Sequence, residues 1–407
     1  MKRFPLVRSL FALTLFMGFR AVPVSAQTIW NAGINSGIGN WSNSAMWTPN
    51  TAPNAATADV RIDNATGTNS VVSVDGTFTI GKLTIDLGDT VGINNNQRLT
   101  VTNAGGAGFG AIINNGAISI NSSNAFTDLT LSGNLTLSGT GTLTLQNFAR
   151  ITGTGVLTNA STIQGSSGNS SSGIGNGSIG IINQSGGLID ANVAGLILYV
   201  NPGLANGLVN QGLLRASNTG ILVLYGVSGG GFNNTGGTIS ALNGSEVQFS
   251  SGASITGGIL STAGTGVIRN AASQTATLTG VSNTGKYIGS DNSVTNIAGT
   301  ITNSGSILLE SSSNFTDLTV SGNATLAGSG AVTLQNFARI TGTGVLTNAS
   351  TIQGSSGNNS GIGNGSLGII NQSGGLIDAN VAGLSLYVSP NLTTGLVNQG
   401  QIGRAHV

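Results

Sequence analysis

The sequence predicts an all-β chain: a parallel β-helix (solenoid) of about 12 or more coils with an atypical N-terminal cap. Three observations predict it: a long internal duplication, a shorter period inside it, and strand-like alternation set among glycine and asparagine. Thr144 to Asn169 reads TLQNFARITGTGVLTNASTIQGSSGN and recurs letter for letter from Thr333 to Asn358. The copy extends over 124–212 and 314–400, with one residue lost in the serine-rich stretch near Ser170. Duplication on this scale suits a quasi-one-dimensional fold in which each unit contacts only its neighbours.

The shorter period is an Asn, a Gly or Ser two residues on, and an aliphatic or aromatic residue two or three further. Its instances are Asn114/Gly116/Ile118, Asn159/Ser161/Ile163, Asn183/Ser185/Leu188, Asn210/Gly212/Leu214, Asn234/Gly236/Ile239, Asn283/Gly285/Tyr287, Asn303/Gly305/Ile307, Asn348/Ser350/Ile352, Asn371/Ser373/Leu376 and Asn398/Gly400. Counting the three long gaps as two periods each, twelve periods span Asn114 to Asn398, about 24 residues per turn. Helical repeats need apolar residues at helical spacing and few glycines, whereas this chain has 66 glycines. Runs such as Leu129-Thr-Leu-Ser alternate as a strand does when one face is buried. Short strands with Asn and Gly at the corners describe one coil of a parallel β-helix. A corner Asn can take a left-handed conformation and stack its amide on the Asn of the next coil, and twelve coils at about 4.8 Å make a rod of about 58 Å.

Residues 1–26 read as a secretory signal peptide: Lys2, Arg3 and Arg8 precede an apolar run from Leu10 to Phe19, and Val24-Ser25-Ala26 offers a cleavage site. The run is too short for a membrane span. Cleavage would remove four of the 13 basic residues, leaving nine against 12 acids and turning a formal charge of +1 into −3. A weakly acidic chain lacks the basic stripe that nucleic acid requires. Charged residues make up 6% of the chain, so solubility rests on Ser, Thr, Asn and Gly. There is no cysteine, so backbone ladders and a thin aliphatic interior must carry stability.

Residues 27–70 form the Trp-containing segment, with Trp30, Trp41 and Trp47 among Asn, Gly and Ser. Two readings stand: an aromatic platform for glycans, or a cap whose indoles cover the first coil, which the need for atypical terminal repeats favours. The β-helix is assigned to 71–400, starting near Val71. Positions 401–407 depart from the second copy, and Ile402-Gly403-Arg404-Ala405-His406-Val407 is what the sequencing-adapter codons ATC GGA AGA GCA CAC GTC encode. They are read as a non-native extension, which removes His406, the sole histidine, from consideration. A C-terminal anchor or translocation domain is then expected beyond the fragment, and the open terminal coil is an unpaired edge prone to association.

The opening Trp30…Gly39-Asn40-Trp41-Ser42…Trp47…Pro53…Asp59-Val60…Ile62, followed by Val74-Asp75-Gly76…Ile80-Gly81-Lys82-Leu83-Thr84-Ile85, resembles bacterial exported β-helix proteins of the autotransporter-passenger and PEP-CTERM surface-protein type. With the Asn-x-Gly-x-Ile coils, the resemblance covers nearly all of Gln27 to Gly400. It implies a right-handed parallel β-helix displayed outside the cell, secreted or on the outer surface of a bacterium, most naturally a Gram-negative one. The roles implied are adhesion, matrix or surface layer.

Chemistry is sparse. Polysaccharide-cleaving β-helices need carboxylates close together, or a carboxylate with an Arg or Lys base. The twelve acids are Asp59, Asp63, Asp75, Asp86, Asp89, Asp128, Asp190, Asp291, Asp317, Asp378, Glu246 and Glu310. Asp128 and Asp317 are duplicated in Phe-Thr-Asp-Leu-Thr, and Asp190 and Asp378 in Leu-Ile-Asp-Ala-Asn. They read either as cation ligands with Asn192 and Asn380, or as corner residues satisfying turn amides; we expect the latter. Arg150 and Arg339, duplicated in Asn-Phe-Ala-Arg, read as a solvated positive spot rather than a substrate clamp. No phosphate loop, calcium loop, Cys/His spacing or Ser-His-Asp set occurs. No catalytic, cofactor-binding or metal residues are assigned and no cofactor is expected. The functional expectation is a non-enzymatic exported surface or matrix protein, an adhesin-like or spacer rod that touches glycans, matrix or other cells by multivalent weak polar contacts. The alternative is a β-helix polysaccharide lyase or hydrolase.

Overall fold

In the computed structural model the chain is a parallel β-helix of about 14 turns, 54% strand and 2% helix. The described residues are 26–62, 69–203, 207–227, 230–356 and 360–404. The signal-like segment up to residue 25, Asp63 and His406 lie outside them. No helix among the described residues is long and apolar enough to cross a membrane.

Each coil carries three short strands, one per face. The first face starts with Asp59–Ile62, Lys82–Ile85 and Ala111–Asn114. The second starts with Val71–Val74, Thr90–Ile93 and Ala117–Asn121. The third starts with Thr77–Ile80, Arg98–Thr102 and Thr127–Ser132. Each strand pairs in parallel with its counterpart one coil later, so chain separations near the sequence period become hydrogen-bonded neighbours. Three longer strands turn corners without breaking, Val345–Gly354 among them, which pairs with both Gly368–Asn371 and Leu376–Ala379. Val294–Asn303 spans two faces and Thr316–Leu334 all three.

Alternation builds the core directly, because every second side chain points inward. On the second face Val72, Val91, Ile118, Leu143, Ile163, Ile189, Leu214, Ile239 and Leu260 stack in register, one per coil, all buried. Each such side chain contributes about 1.5–3 kcal/mol of transfer free energy. A stack of this kind supplies what disulfides supply elsewhere.

The corner asparagines do what their spacing predicts, with one correction. Asn159, Asn183, Asn210 and Asn234 form a buried amide ladder, each Nδ2 donating to the next Oδ1 at 2.8, 2.8 and 2.7 Å. Asn283 and Asn303 form a second, and Asn348, Asn371 and Asn398 a third, with 2.8 Å at each step. None of these is in the left-handed region. That conformation belongs to other asparagines, Asn96, Asn147, Asn218, Asn292 and Asn336 among them, in the turns between faces. Their side chains also reach across coils: Asn147 donates to Ser122 O at 2.8 Å and Asn336 to Ser311 O at 2.7 Å. Two uses of asparagine thus share one composition signal.

The small residue two positions after a ladder Asn has a steric cause. A Cβ on Gly212 would lie 2.3 Å from the carbonyl oxygen of Gly187 one coil earlier, and one on Gly305 2.0 Å from that of Gly285. Corner backbones stack too closely there for a side chain.

The duplicated sequence does not return to the same face. Nine successive pairings along the third face lead from Thr127–Ser132 to 331–334. The copy of Thr127–Ser132 is 316–321, two faces earlier and on the first face, with 317–320 paired to 294–297. The copies are therefore separated by about eight and a third coils, about 40 Å of rise, and turned by one face about the rod.

At the N-terminal end, parallel pairing reaches further back than the start near Val71 read from the alternation. Val60 pairs with Leu83, Thr28 with Val60, and Ile38–Asn40 with Val71–Val74. The alternation is too brief in Thr28–Trp30 and Ile38–Asn40 to be read as strand. The indoles are buried. Trp47 packs edge-on against Trp30 and Trp41 at 4.8 and 4.9 Å between centroids. Every indole N–H is satisfied: Trp30 on Gly37 O, Trp41 on Pro53 O and Trp47 on Trp41 O, at 3.0, 3.0 and 2.8 Å. An open platform for glycans needs exposed ring faces, and these rings have none.

Candidate functional site

The duplicated Asp and Arg residues meet each other. Asp128 lies in register between Arg98 and Arg150 on adjacent coils of the third face. Arg150 binds it with two prongs, Nε to Oδ1 at 2.6 Å and Nη2 to Oδ2 at 2.9 Å. Arg98 adds Nε and Nη2 to Oδ2 at 3.2 and 2.9 Å. The Arg150 guanidinium also lies 4.0 Å from the ring centre of Phe126, which meets Phe148 edge-on. The second copy rebuilds this cluster: Arg339 holds Asp317 at 2.7 and 2.6 Å and lies 3.9 Å from the ring centre of Phe315, with Phe337 edge-on. One partner differs. Val294 is in register with Asp317 where Arg98 is in register with Asp128.

These aspartates are therefore ion-pair partners rather than caps of turn amides, and Arg150 and Arg339 are bound rather than free positive spots. Two-pronged Arg–carboxylate pairs are geometrically specific, although partly exposed pairs contribute only modest stability. Asp190 follows the same rule, held by Arg215 Nη2 at 2.7 Å and Ser217 Oγ at 2.9 Å. Asn192 reaches Gln164 instead of joining Asp190 around a cation. The copy, Asp378, faces Gly403 in register, and Asn380 is exposed. Asp59 pairs with Lys82, Asp86 with Arg61 and Glu246 with Arg269. Asp75 accepts from Ser42, Asp89 from the Ser70 amide, and Glu310 is exposed. Among the described residues no three His, Cys, Asp or Glu side chains gather as a metal site would require.

The turn-capping role belongs to Asp291. Its Oδ1 accepts the amides of Ser312, Ser313 and Asn314 at 2.7, 3.1 and 3.2 Å, and Oδ2 accepts from the Ser313 hydroxyl and the Asn314 amide group. These backbone donors hold its carboxyl far below the usual carboxylate range. Asn95 does the same work in the first copy, accepting the amides of Ser123, Asn124 and Ala125 at 2.9, 3.3 and 3.3 Å. Because the folded-state value is depressed, the stabilisation Asp291 provides is present above the unfolded value near 3.9 and is lost as pH falls toward its own lower one. Asp291→Asn is thus expected to lower the melting temperature at pH 7, where the carboxylate's contribution is fully present, and to flatten the fall between pH 7 and pH 3; melting curves at both values check it.

This turn forms one wall of a groove of about 420 Å³. Ser313, Asn314 and Asn292 line its polar side, and Val294, Phe315 and Phe337 its apolar side, with Asp317 and Arg339 at its floor. Phe315 and Phe337 are each 40% exposed, as is Phe126 in the first copy. Sequence inspection missed Arg98, Val294 and the phenylalanines as members of one cluster. The 22-residue spacing of Asp128 and Arg150, close to one coil, was the available signal.

No protein-family model, curated protein or solved structure matches this chain.

Proposed function

We propose that this chain is the display rod of a non-enzymatic exported protein, placed on or released from the surface of a bacterium, which contacts glycans, matrix or neighbouring cells through many weak polar interactions. The observation that carries the proposal is the pairing pattern of the acids. Most described carboxylates are committed to an Arg, a Lys or backbone amides, while the outward faces carry rows of hydroxyl and amide side chains. Ser119, Thr144 and Gln164, for example, are in register on successive coils. Repeated weak donors about 4.8 Å apart suit avidity better than a single deep pocket. The one-face rotation between copies adds a constraint: a flat partner meets one Phe-Arg-Asp cluster at a time, so avidity along a surface comes from the rows and not from the duplicated clusters.

The test incubates the full chain with immobilised pectin, alginate and cellulose at graded densities, following retained protein and released sugar. Retention rising faster than density, with no sugar released, is the expected result. Sugar release in proportion to protein would replace the proposal with the polysaccharide-degrading reading, and no retention on any surface would leave a passive spacer.

A further inference from the structure

We propose that the groove between Val294, Phe315 and Phe337 is a binding site for a short neutral glycan; this deepens the surface-contact reading and rests on it. At the groove the two copies differ chemically. In the first copy Arg98 reaches over the cluster and ties to Asp128, so two guanidiniums meet one carboxylate. In the second, Val294 replaces it, leaving an open hollow of about 420 Å³. That volume falls in the range of small-molecule sites, about 300–1,000 Å³.

The ligand class follows from the walls. Asp317 and Arg339 neutralise each other through two short hydrogen bonds, so the floor offers no net charge to select an ion. The pair uses Nε and Nη2 of Arg339, and one face of Phe315 is occupied by its guanidinium. Arg339 Nη1 and Asn314 Oδ1 make no hydrogen bond to any described residue, supplying one donor and one acceptor. Val294 and the exposed ring of Phe337 line the same groove. A molecule filling this space must present a flat C–H face to the phenylalanine and hydroxyl groups to the polar wall. A pyranose ring does both, and an aliphatic or fully polar ligand satisfies one side only. The wall is fixed before binding, because Asp291 pins the Ser312–Asn314 turn with three amide hydrogen bonds, which lowers the ordering cost of binding.

The test uses the full chain and ligand-observed saturation-transfer NMR with cellotriose, maltotriose, chitotriose and mannotriose. At least one is expected to receive saturation on its ring C–H protons. Val294→Arg, which recreates the arrangement the first copy already folds with, should weaken that binding by about tenfold or more, as should Phe337→Ala. Arg98→Val should raise the number of sites per chain from one to two. No response from any of the four, a response that survives Val294→Arg, or trigalacturonate binding in their place would overturn the proposal. Surface retention without trisaccharide binding removes the groove and leaves the display-rod reading intact; trisaccharide binding without surface retention does the opposite.

Discussion

Trp47→Ala is expected to remove about 4 kcal/mol from the N-terminal end of the rod, the usual cost of deleting a buried large aromatic. Trp47 is fully buried between Trp30 and Trp41, and its indole N–H satisfies the Trp41 carbonyl. Alanine would leave both a cavity and an orphaned acceptor. In a stacked fold this loss stays near its origin, since each coil contacts only its neighbours. Hydrogen exchange should therefore quicken by about three powers of ten in 28–62, while amides in 238–300 keep their protection. An even loss along the chain would mean that the coils fold as one unit. Unchanged protection at 28–62 would mean that the indoles do not close the end, and would reopen the glycan-platform reading.

The parallel β-helix was legible because its signals are local and repeated. The Asn-x-Gly/Ser corners report the coil length, and the alternation reports which side chains stack, as Val72, Val91 and Ile118 do. The site was less legible because it forms between coils. Asp128 and Arg150 are 22 residues apart, Asp190 and Arg215 25, and Arg61 and Asp86 25. Each separation is one turn of the solenoid, so once a coil length near 24 is in hand, opposite charges one period apart are expected neighbours. Taking each acid by itself hid this and suggested turn caps instead. The rotation between copies was hidden for a different reason. Identical letters give the same alternation of buried and outward side chains in 156–165 and 345–354, but the face on which a segment lands depends on how many strands intervene, and Val294–Asn303 and Thr316–Leu334 bend round corners without the breaks by which strands are counted.

Asn183→Leu should destabilise the body of the rod by about 3 kcal/mol. Asn183 is an inner rung. It accepts from Asn159 Nδ2 at 2.8 Å and donates to Asn210 Oδ1 at 2.8 Å, Gly187 O at 3.1 Å and Leu213 O at 3.3 Å. Leucine matches its volume but supplies no polar atom, so the Asn210 oxygen and two corner carbonyls lose donors in a place closed to water. The end rung gives the contrast. Asn234 receives Asn210 Nδ2 at 2.7 Å, but its own amide reaches only Gly257 O and Ile259 O, both at 3.4 Å. Asn234→Leu should cost about 1 kcal/mol, the net value of one ordinary hydrogen bond. Denaturant unfolding, with hydrogen exchange reporting on 156–241, measures both. Equal losses would show that the rungs act independently. A loss at Asn183 two- or threefold larger would show that the ladder gains from continuity, which would explain why Asn recurs at the coil corner more faithfully than any residue of the outer faces.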